Sequence, residues 1–171
     1  MEPKTIKGPD VLVAVLAQLR KRIPELVVLL TGPARGYVRS ELERLAVPYV
    51  HAQPKARDEL ATAYHALDVY LVTSRQEGGP KSAFEAGACG VPLVSTRVGQ
   101  AQELLVDGED ALLVEVDDVA ALVRCVERVY EDVTLVARLR VAARATAERY
   151  SDERLDPHWA ELLEGFVSRA H

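Results

Sequence analysis

Short, unbroken apolar runs alternate with stretches of helical periodicity through the first two-thirds of the chain, and that alternation leaves few folds open. Leu26–Leu30, Pro48–His51, Val69–Thr73, Pro92–Ser95 and Ala111–Val114 read as strands. A run such as Leu-Val-Val-Leu-Leu is apolar at every position, which suits a strand covered on both faces rather than one. Between these runs lie helical segments. Asp10–Arg22 carries Val11, Val15, Leu16 and Leu19 at helical spacing, opened by Gly8-Pro9 and closed before Pro24. Tyr37–Ala46, Ala56–Ala66 and a short segment from Gln100 to Val106 complete the alternation. Repeated strand–helix units imply an α/β fold with a doubly wound parallel sheet and helices on both faces. Beyond Val114 the pattern predicts helices only, at Val119–Asp132, Leu135–Tyr150 and Glu153–Ser168. The expectation is a single domain over residues 1–171, with C-terminal helices from 117 onward.

In such sheets ligands bind outside the carboxyl ends of the strands. The turns after Leu30, His51, Thr73, Ser95 and Val114 all open on that edge. The turn after Thr73 is the most informative. It reads Glu77-Gly-Gly-Pro-Lys-Ser-Ala-Phe-Glu85, two carboxylates eight positions apart around a glycine pair and a proline. A strand that ends in a Gly-Gly turn and opens a helix leaves backbone N–H groups free to attract an anion, phosphate above all. A glutamate beyond the first helical turn is then placed to accept hydrogen bonds from two neighbouring hydroxyls, as on a ribose. The segment suits a sugar nucleotide.

The longer block is Glu77-Gly-Gly-Pro, then Glu85-Ala-Gly-Ala-Cys-Gly-Val-Pro-Leu-Val-Ser-Thr-Arg-Val-Gly99, then Glu103-Leu-Leu-Val-Asp-Gly108. It closely resembles the signature of the group 1, GT4-like family of retaining GT-B glycosyltransferases: Glu, seven residues, Glu, a Gly-Val-Pro-Val strand and a Val-Gly-Gly turn. Almost the whole chain aligns with that family's C-terminal, nucleotide-sugar-binding domain. The resemblance implies the Rossmann-like C-terminal half of a GT-B fold. It also implies that the polypeptide is a fragment: one more strand ending in Gly-Arg would precede Lys7, with the phosphate-binding arginine near Met1, and an N-terminal acceptor domain would lie ahead of that.

The same resemblance assigns roles. Glu77 is the catalytic candidate, near the transferred sugar or supporting the loop; the residue alone also reads as a loop-surface charge. Glu85 would bind the ribose hydroxyls; spacing alone also accommodates a solvated carboxylate favoured by the helix dipole. Gly78 and Gly79 would let the backbone approach the donor, although the same pair also makes a plain turn ahead of Pro80. Lys81 would face the sugar or the diphosphate, or simply solvent. Lys7 aligns with the lysine that binds the donor diphosphate, just before a helix N-terminus. Gly99 and Gln100 stand where the family carries Gly-Gly, so Gln100 adds a side chain that bears on sugar preference. Glu103 matches a recurrent family glutamate, with capping as the structural alternative. Gln53, Pro54 and Lys55 follow a strand where relatives contact the base, and His51 stands at that strand's end.

Composition narrows the rest. About half the residues are apolar (49%) and 27% are charged, which is ordinary for a globular domain. A net charge of −5 argues against nucleic acid as a partner and requires any nucleotide site to be locally positive. No apolar run approaches a membrane span, and no signal-peptide core is present, so the default location is cytoplasmic, with the parent protein peripheral to a membrane at most. Cys89 and Cys125 lack metal or disulfide spacing and read as packing residues. The histidines have no partners at suggestive spacing; no metal or other cofactor is expected beyond the nucleoside-diphosphate sugar itself. Gly32-Pro33-Ala34-Arg35-Gly36 does not have the dinucleotide-binding spacing, and its proline removes a donor, which argues against an unrelated Rossmann nucleotide binder. Trp159, Leu162, Leu163 and Phe166 form an apolar stripe that is either core or an interdomain face through which the chain would weakly self-associate. The expected function is the donor-binding part of a sugar transferase, inactive alone; the alternative is a non-catalytic nucleotide-sugar-binding module on the same scaffold.

Overall fold

The computed structural model describes residues 5–33, 35–79 and 81–169; the expected arginine position near Met1, and Ala34, Pro80 and His171, lie outside them. A 3-10 turn at Thr5–Lys7 leads into helix α1 (Pro9–Arg22), then β1 (Val28–Thr31), α2 (Gly36–Arg44), β2 (Tyr49–Ala52), α3 (Arg57–His65) and β3 (Tyr70–Val72). The motif helix α4 (Lys81–Ala88) follows, then β4 (Leu93–Thr96), α5 (Gly99–Leu104), β5 (Leu112–Val114), α6 (Val119–Glu131), α7 (Val133–Arg149) and α8 (Asp152–Arg169). Every element read from the sequence is present, and all strand pairings are parallel.

The class is therefore α/β with parallel strands, and β4 and β5 are buried along their whole length. Their alternating side chains feed two cores. Val94, Leu112 and Val114 face α1, α6 and the start of α7, through Val11, Val15, Leu19, Leu122, Val126 and Leu139. Leu93 and Leu113 face the other way, with Val72, onto Ala83 of α4. Small residues let α4 lie close to α7: a Cβ added at Gly87 would stand 3.1 Å from the Ala143 carbonyl oxygen. Phe84 adds an edge-on contact with Tyr150, ring centroids 6.1 Å apart. Asp118 and Asp132 start α6 and α7 by accepting hydrogen bonds from the Ala121 and Leu135 N–H groups, at 2.8 and 2.9 Å, the usual role of a short carboxylate at that position.

The sheet differs from expectation in one respect. It is divided into two ladders, β1–β2 and β3–β4–β5, and no ladder joins β1 to β3 among the described residues. The hydrogen-bond register explains what the division leaves open. The Val28 N–H donates to the Pro48 carbonyl, and the Tyr70 N–H to the Pro92 carbonyl. In a parallel strand alternate residues turn their backbone groups to opposite sides. Leu29 of β1 and Leu71 of β3 therefore turn theirs toward the gap, where a cavity of about 390 Å³ is lined by both strands and by Leu12 and Leu16 of α1. Helix α1 spans the division. Its Val11, Val15 and Leu19 pack with the three-stranded ladder, and its Val13 and Leu16 pack with Leu30, Val38 and Leu42 beside the two-stranded one.

At the other end, α8 leaves its apolar stripe bare: Trp159, Leu162, Leu163 and Phe166 are 50–66% exposed. The stripe is helical as its spacing predicts, and of the two readings the sequence leaves open, core is excluded: these side chains face solvent. Among the described residues no helix is long and apolar enough to cross a membrane.

The split ladder makes a prediction for hydrogen exchange. The amides of Leu29 and Leu71 should exchange faster than those of their neighbours Leu30 and Val72, which are turned to β2 and β4. Equal protection across each pair, read by NMR or mass spectrometry, would mean that β1 and β3 are joined in solution.

Candidate functional site

The carboxyl ends of the strands carry the loops that the sequence marked. Two of these loops lock together. The Gln100 N–H donates to the Gly78 carbonyl at 3.2 Å. Gly99 has a positive φ of 47°, and a Cβ there would stand 2.3 Å from the Glu77 carbonyl oxygen and 2.5 Å from that of Gly78. Only glycine meets both demands, the left-handed backbone and the close approach. The side chain of Gln100 lies over Gly79, where a Cβ would meet its Oε1 at 2.5 Å. The Gly-Gln pair thus braces the Glu77–Gly79 loop from behind. Of the N–H groups expected to be free at the start of α4, that of Lys81 donates to the Gly79 carbonyl at 2.8 Å; the Lys81 side chain is exposed.

Lys7 and Glu77 are seventy residues apart in sequence and meet here. Lys7 Nζ stands 2.5 Å from Glu77 Oε1, and the Ser74 hydroxyl donates to the same oxygen at 2.7 Å. The lysine is largely exposed while the carboxylate is mostly covered, at 70% and 12% side-chain exposure. The cation therefore stands at the surface, and its partner is held in the wall. Gly8 brings Lys7 to this position. Its φ is 57°, and a Cβ would stand 2.0 Å from the Thr73 carbonyl oxygen, so the chain enters α1 pressed against the end of β3. The Thr73 hydroxyl closes the contact by donating to the Gly8 carbonyl at 3.0 Å.

Arg75 fastens the same edge. Its guanidinium binds both carboxylate oxygens of Asp10, at 2.8 and 2.6 Å, and Asp117 at 2.6 Å, a two-pronged geometry that arginine favours. Its backbone N–H donates to the Ile6 carbonyl at 2.7 Å. These bonds hold the Asp10 carboxyl below the usual range, the arginine hydrogen bond being the main cause, and push the guanidinium still higher. Arg35 adds a third cation at the edge, its Nε donating to the Thr31 carbonyl at 2.9 Å.

Glu85 lies one turn further along α4 than the loop. Its Oε2 accepts a hydrogen bond from the Tyr64 hydroxyl of α3 at 2.9 Å. Tyr64, Ser74, Glu77 and Ser82 line the same cavity, as do Lys7 and Arg35. The structure thus brings Lys7, Glu77, Gly78, Gly79, Gly99 and Gln100 into one cluster, with Glu85 further along α4 and bonded to Tyr64. Glu103 is exposed on α5, and Gln53 and Lys55 are exposed after β2. The Lys55 N–H donates to Glu59 at 2.7 Å, a helix-start bond for α3. His51 spends its Nε2 on the Gly32 carbonyl at 2.7 Å, tying β2 to the turn after β1. Cys89 and Cys125 are free thiols that burial pushes above the usual range. No group of three metal-ligating side chains occurs among the described residues.

Sequence reasoning missed Ser74, Arg75, Tyr64 and Arg35. Ser74 and Arg75 directly follow a strand on the ligand edge, which was a usable signal. Tyr64 carried none, because it falls on the apolar face of α3 and reads as core.

The profile described as Glycosyl transferases group 1 matches residues 1–132. The chain belongs to that family. It is 36% identical over 152 residues to a D-inositol 3-phosphate glycosyltransferase of Xylanimonas cellulosilytica, covering 85% of this chain and 36% of the relative. It is 31% identical over 176 residues to a GDP-mannose-dependent alpha-(1-6)-phosphatidylinositol monomannoside mannosyltransferase of Mycolicibacterium smegmatis, covering 93% of this chain and 45% of the relative. Its fold matches Anabaena HepE, solved with UDP-glucose, at a TM-score of 0.83 and 24% identity, over 96% of this chain and 47% of that one. The chain thus spans less than half the length of each of these group 1 and related proteins.

Asp10 and Arg75 give the site a pH signature. Because the Asp10 carboxyl is held low, its ion pair stabilises the fold above the unfolded-state value of about 4 and is lost as pH falls through the lower folded-state value. The pair is partly exposed, so Asp10→Asn should lower the melting temperature at pH 7 by no more than about 2–4 °C, corresponding to about 1 kcal/mol. The difference from the wild type should shrink below about pH 4. A difference constant from pH 7 to pH 2.5, followed by calorimetry, would show that the pair contributes nothing.

Proposed function

We propose that this chain is the donor-binding part of a glycosyltransferase that moves a sugar from a nucleoside diphosphate to an acceptor with retention of anomeric configuration. The observation that carries the reading is the convergence of Lys7 on Glu77 at the carboxyl edge, inside the loop that Gly99 and Gln100 brace. Glu77, Glu85 and the glycines are the residues of the family motif, and they stand where an α/β sheet receives its ligand.

Each group has a task in that reading. Lys7 and Arg35 supply local positive charge for a diphosphate in a chain whose net charge is −5. They stabilise the charge that develops on the leaving phosphate. Glu85 accepts from ribose hydroxyls. Gly78 and Gly79 admit the donor close to the backbone, and Lys81 and Gln100 stand at the sugar end. Glu77 faces the transferred sugar and, by pairing with Lys7, sets where the cation waits. No metal takes part in this scheme. The rest of the polypeptide, an N-terminal domain that binds the acceptor, completes the cleft. Two features support that part of the reading. The gap between β1 and β3 lies where a parallel strand leading into α1 would pair with both ladders. The bare stripe on α8 is the apolar surface a second domain would cover. The site works in the cytoplasm, at a membrane face or away from it.

The test is calorimetric titration of the chain with UDP, GDP and ADP. One base should be preferred, and Glu85→Ala should weaken that ligand by roughly tenfold to a hundredfold, the worth of a hydrogen bond to a charged group. No binding, either to this chain or to the chain with whatever flanking sequence its gene encodes, would overturn the reading. The chain alone should transfer no sugar. Sedimentation velocity should show weak, concentration-dependent self-association that Trp159→Ser with Phe166→Ser removes; a monomer at every concentration would mean that the stripe is not sticky enough to act as an interface.

A further inference from the structure

The Tyr64–Glu85 pair is placed as a positioning device. Tyr64 sits on α3 at 7% exposure. Its ring is fixed on several sides, edge-on to Tyr70 with centroids 5.7 Å apart and packed with Ala86 and Val91. Burial, then Tyr70 and Glu85, push its ionisation well above the usual phenol range. The hydroxyl therefore stays protonated and donates, and the carboxylate accepts. A glutamate side chain has three rotatable bonds and loses rotamer freedom when it grips a ligand. Here one oxygen, Oε2, is already held at 2.9 Å by a donor whose own ring cannot turn away. Oε1 is the oxygen left to meet an incoming group. Tyr64 lines the cavity between β1 and β3 together with Ser74, Glu77 and Ser82, and Glu85 is tied to that wall from α4 through this bond.

We propose that Tyr64 positions Glu85 for the ribose, so that discrimination for ribose hydroxyls depends on the Tyr64 hydroxyl as well as on Glu85. This rests on reading Glu85 as the ribose contact. The bond is made before the ligand arrives, so the ordering of the carboxylate is met in folding rather than in binding. Tyr64 touches no substrate in this scheme; it acts through Glu85. An interhelical tie between α3 and α4 would use the same bond, and the two roles separate by ligand.

The experiment compares the ribo and 2′,3′-dideoxy forms of UDP, GDP and ADP on the full chain, by calorimetry, for the wild type, Tyr64→Phe, Glu85→Ala and the double variant. Tyr64→Phe keeps the ring and its edge-on contact, and a thermal melt checks the fold. For the preferred base, the wild type should bind the ribo form at least about tenfold better than the dideoxy form. Tyr64→Phe should lower that ratio by about threefold to tenfold with the dideoxy affinity unchanged. In the Glu85→Ala background it should change the ratio no further. A Tyr64→Phe ratio equal to that of the wild type, or equal weakening of both ligands, would overturn the proposal and leave Glu85 as the ribose contact. A wild-type ratio near one would overturn the Glu85 assignment, and the proposal with it.

Discussion

The structure depends on α1 having two apolar faces. The two ladders share no hydrogen bonds among the described residues, so their relative placement comes from side-chain packing on this helix. Val11, Val15 and Leu19 bind it to the three-stranded side, and Val13 and Leu16 to the two-stranded side. Each buried Val or Leu contributes roughly 1.5–3 kcal/mol relative to exposure. Strand pairing would give direction and register; packing gives mainly proximity. Helix α1 is also the element that delivers Lys7 and Asp10 to the ligand edge, so fold and site share one support.

The site is built by contacts between loops rather than by any one loop. Gly8 presses the chain against the end of β3, Gly99 presses the α5 entry against the Glu77 loop, and Arg75 clamps Asp10 and Asp117 across the edge. Asp117 takes a positive φ of 65° at that clamp, a backbone that short carboxylates tolerate better than most side chains. The result is an edge where backbone contacts fix the loops and side-chain ion pairs fix the charges those loops carry.

Much of this was legible in sequence, for identifiable reasons. Strands buried on both faces leave continuous apolar runs, and the motif from Glu77 to Gly108 is long enough to carry a family resemblance by itself. The errors follow the physics. Leu26 was read into the first strand because it is apolar, but its N–H bonds back to the Ile23 carbonyl and its side chain packs beneath α1, so the strand starts at Val28. The α8 stripe shows that periodicity identifies a helix face without saying what covers it. The split between β1 and β3 does not follow from local pattern, which does not report which strands are neighbours; only the family resemblance, with its further strand ahead of Lys7, bears on it. The pairings of Lys7 with Glu77, Asp10 with Arg75 and Tyr64 with Glu85 join residues from separate elements, and no spacing rule reaches across them.

Gly87 has a consequence for how the motif helix behaves. Because α4 meets the α7 backbone at Ala143 with only glycine in between, the spacing of the two helices is set there by main-chain contact rather than by a side chain. A side chain larger than glycine at 87 would push α4 off α7, and Glu85, two residues away on α4, would move with it. The helix that carries the second carboxylate of the motif is thus seated by a contact on its far side, away from the sheet edge.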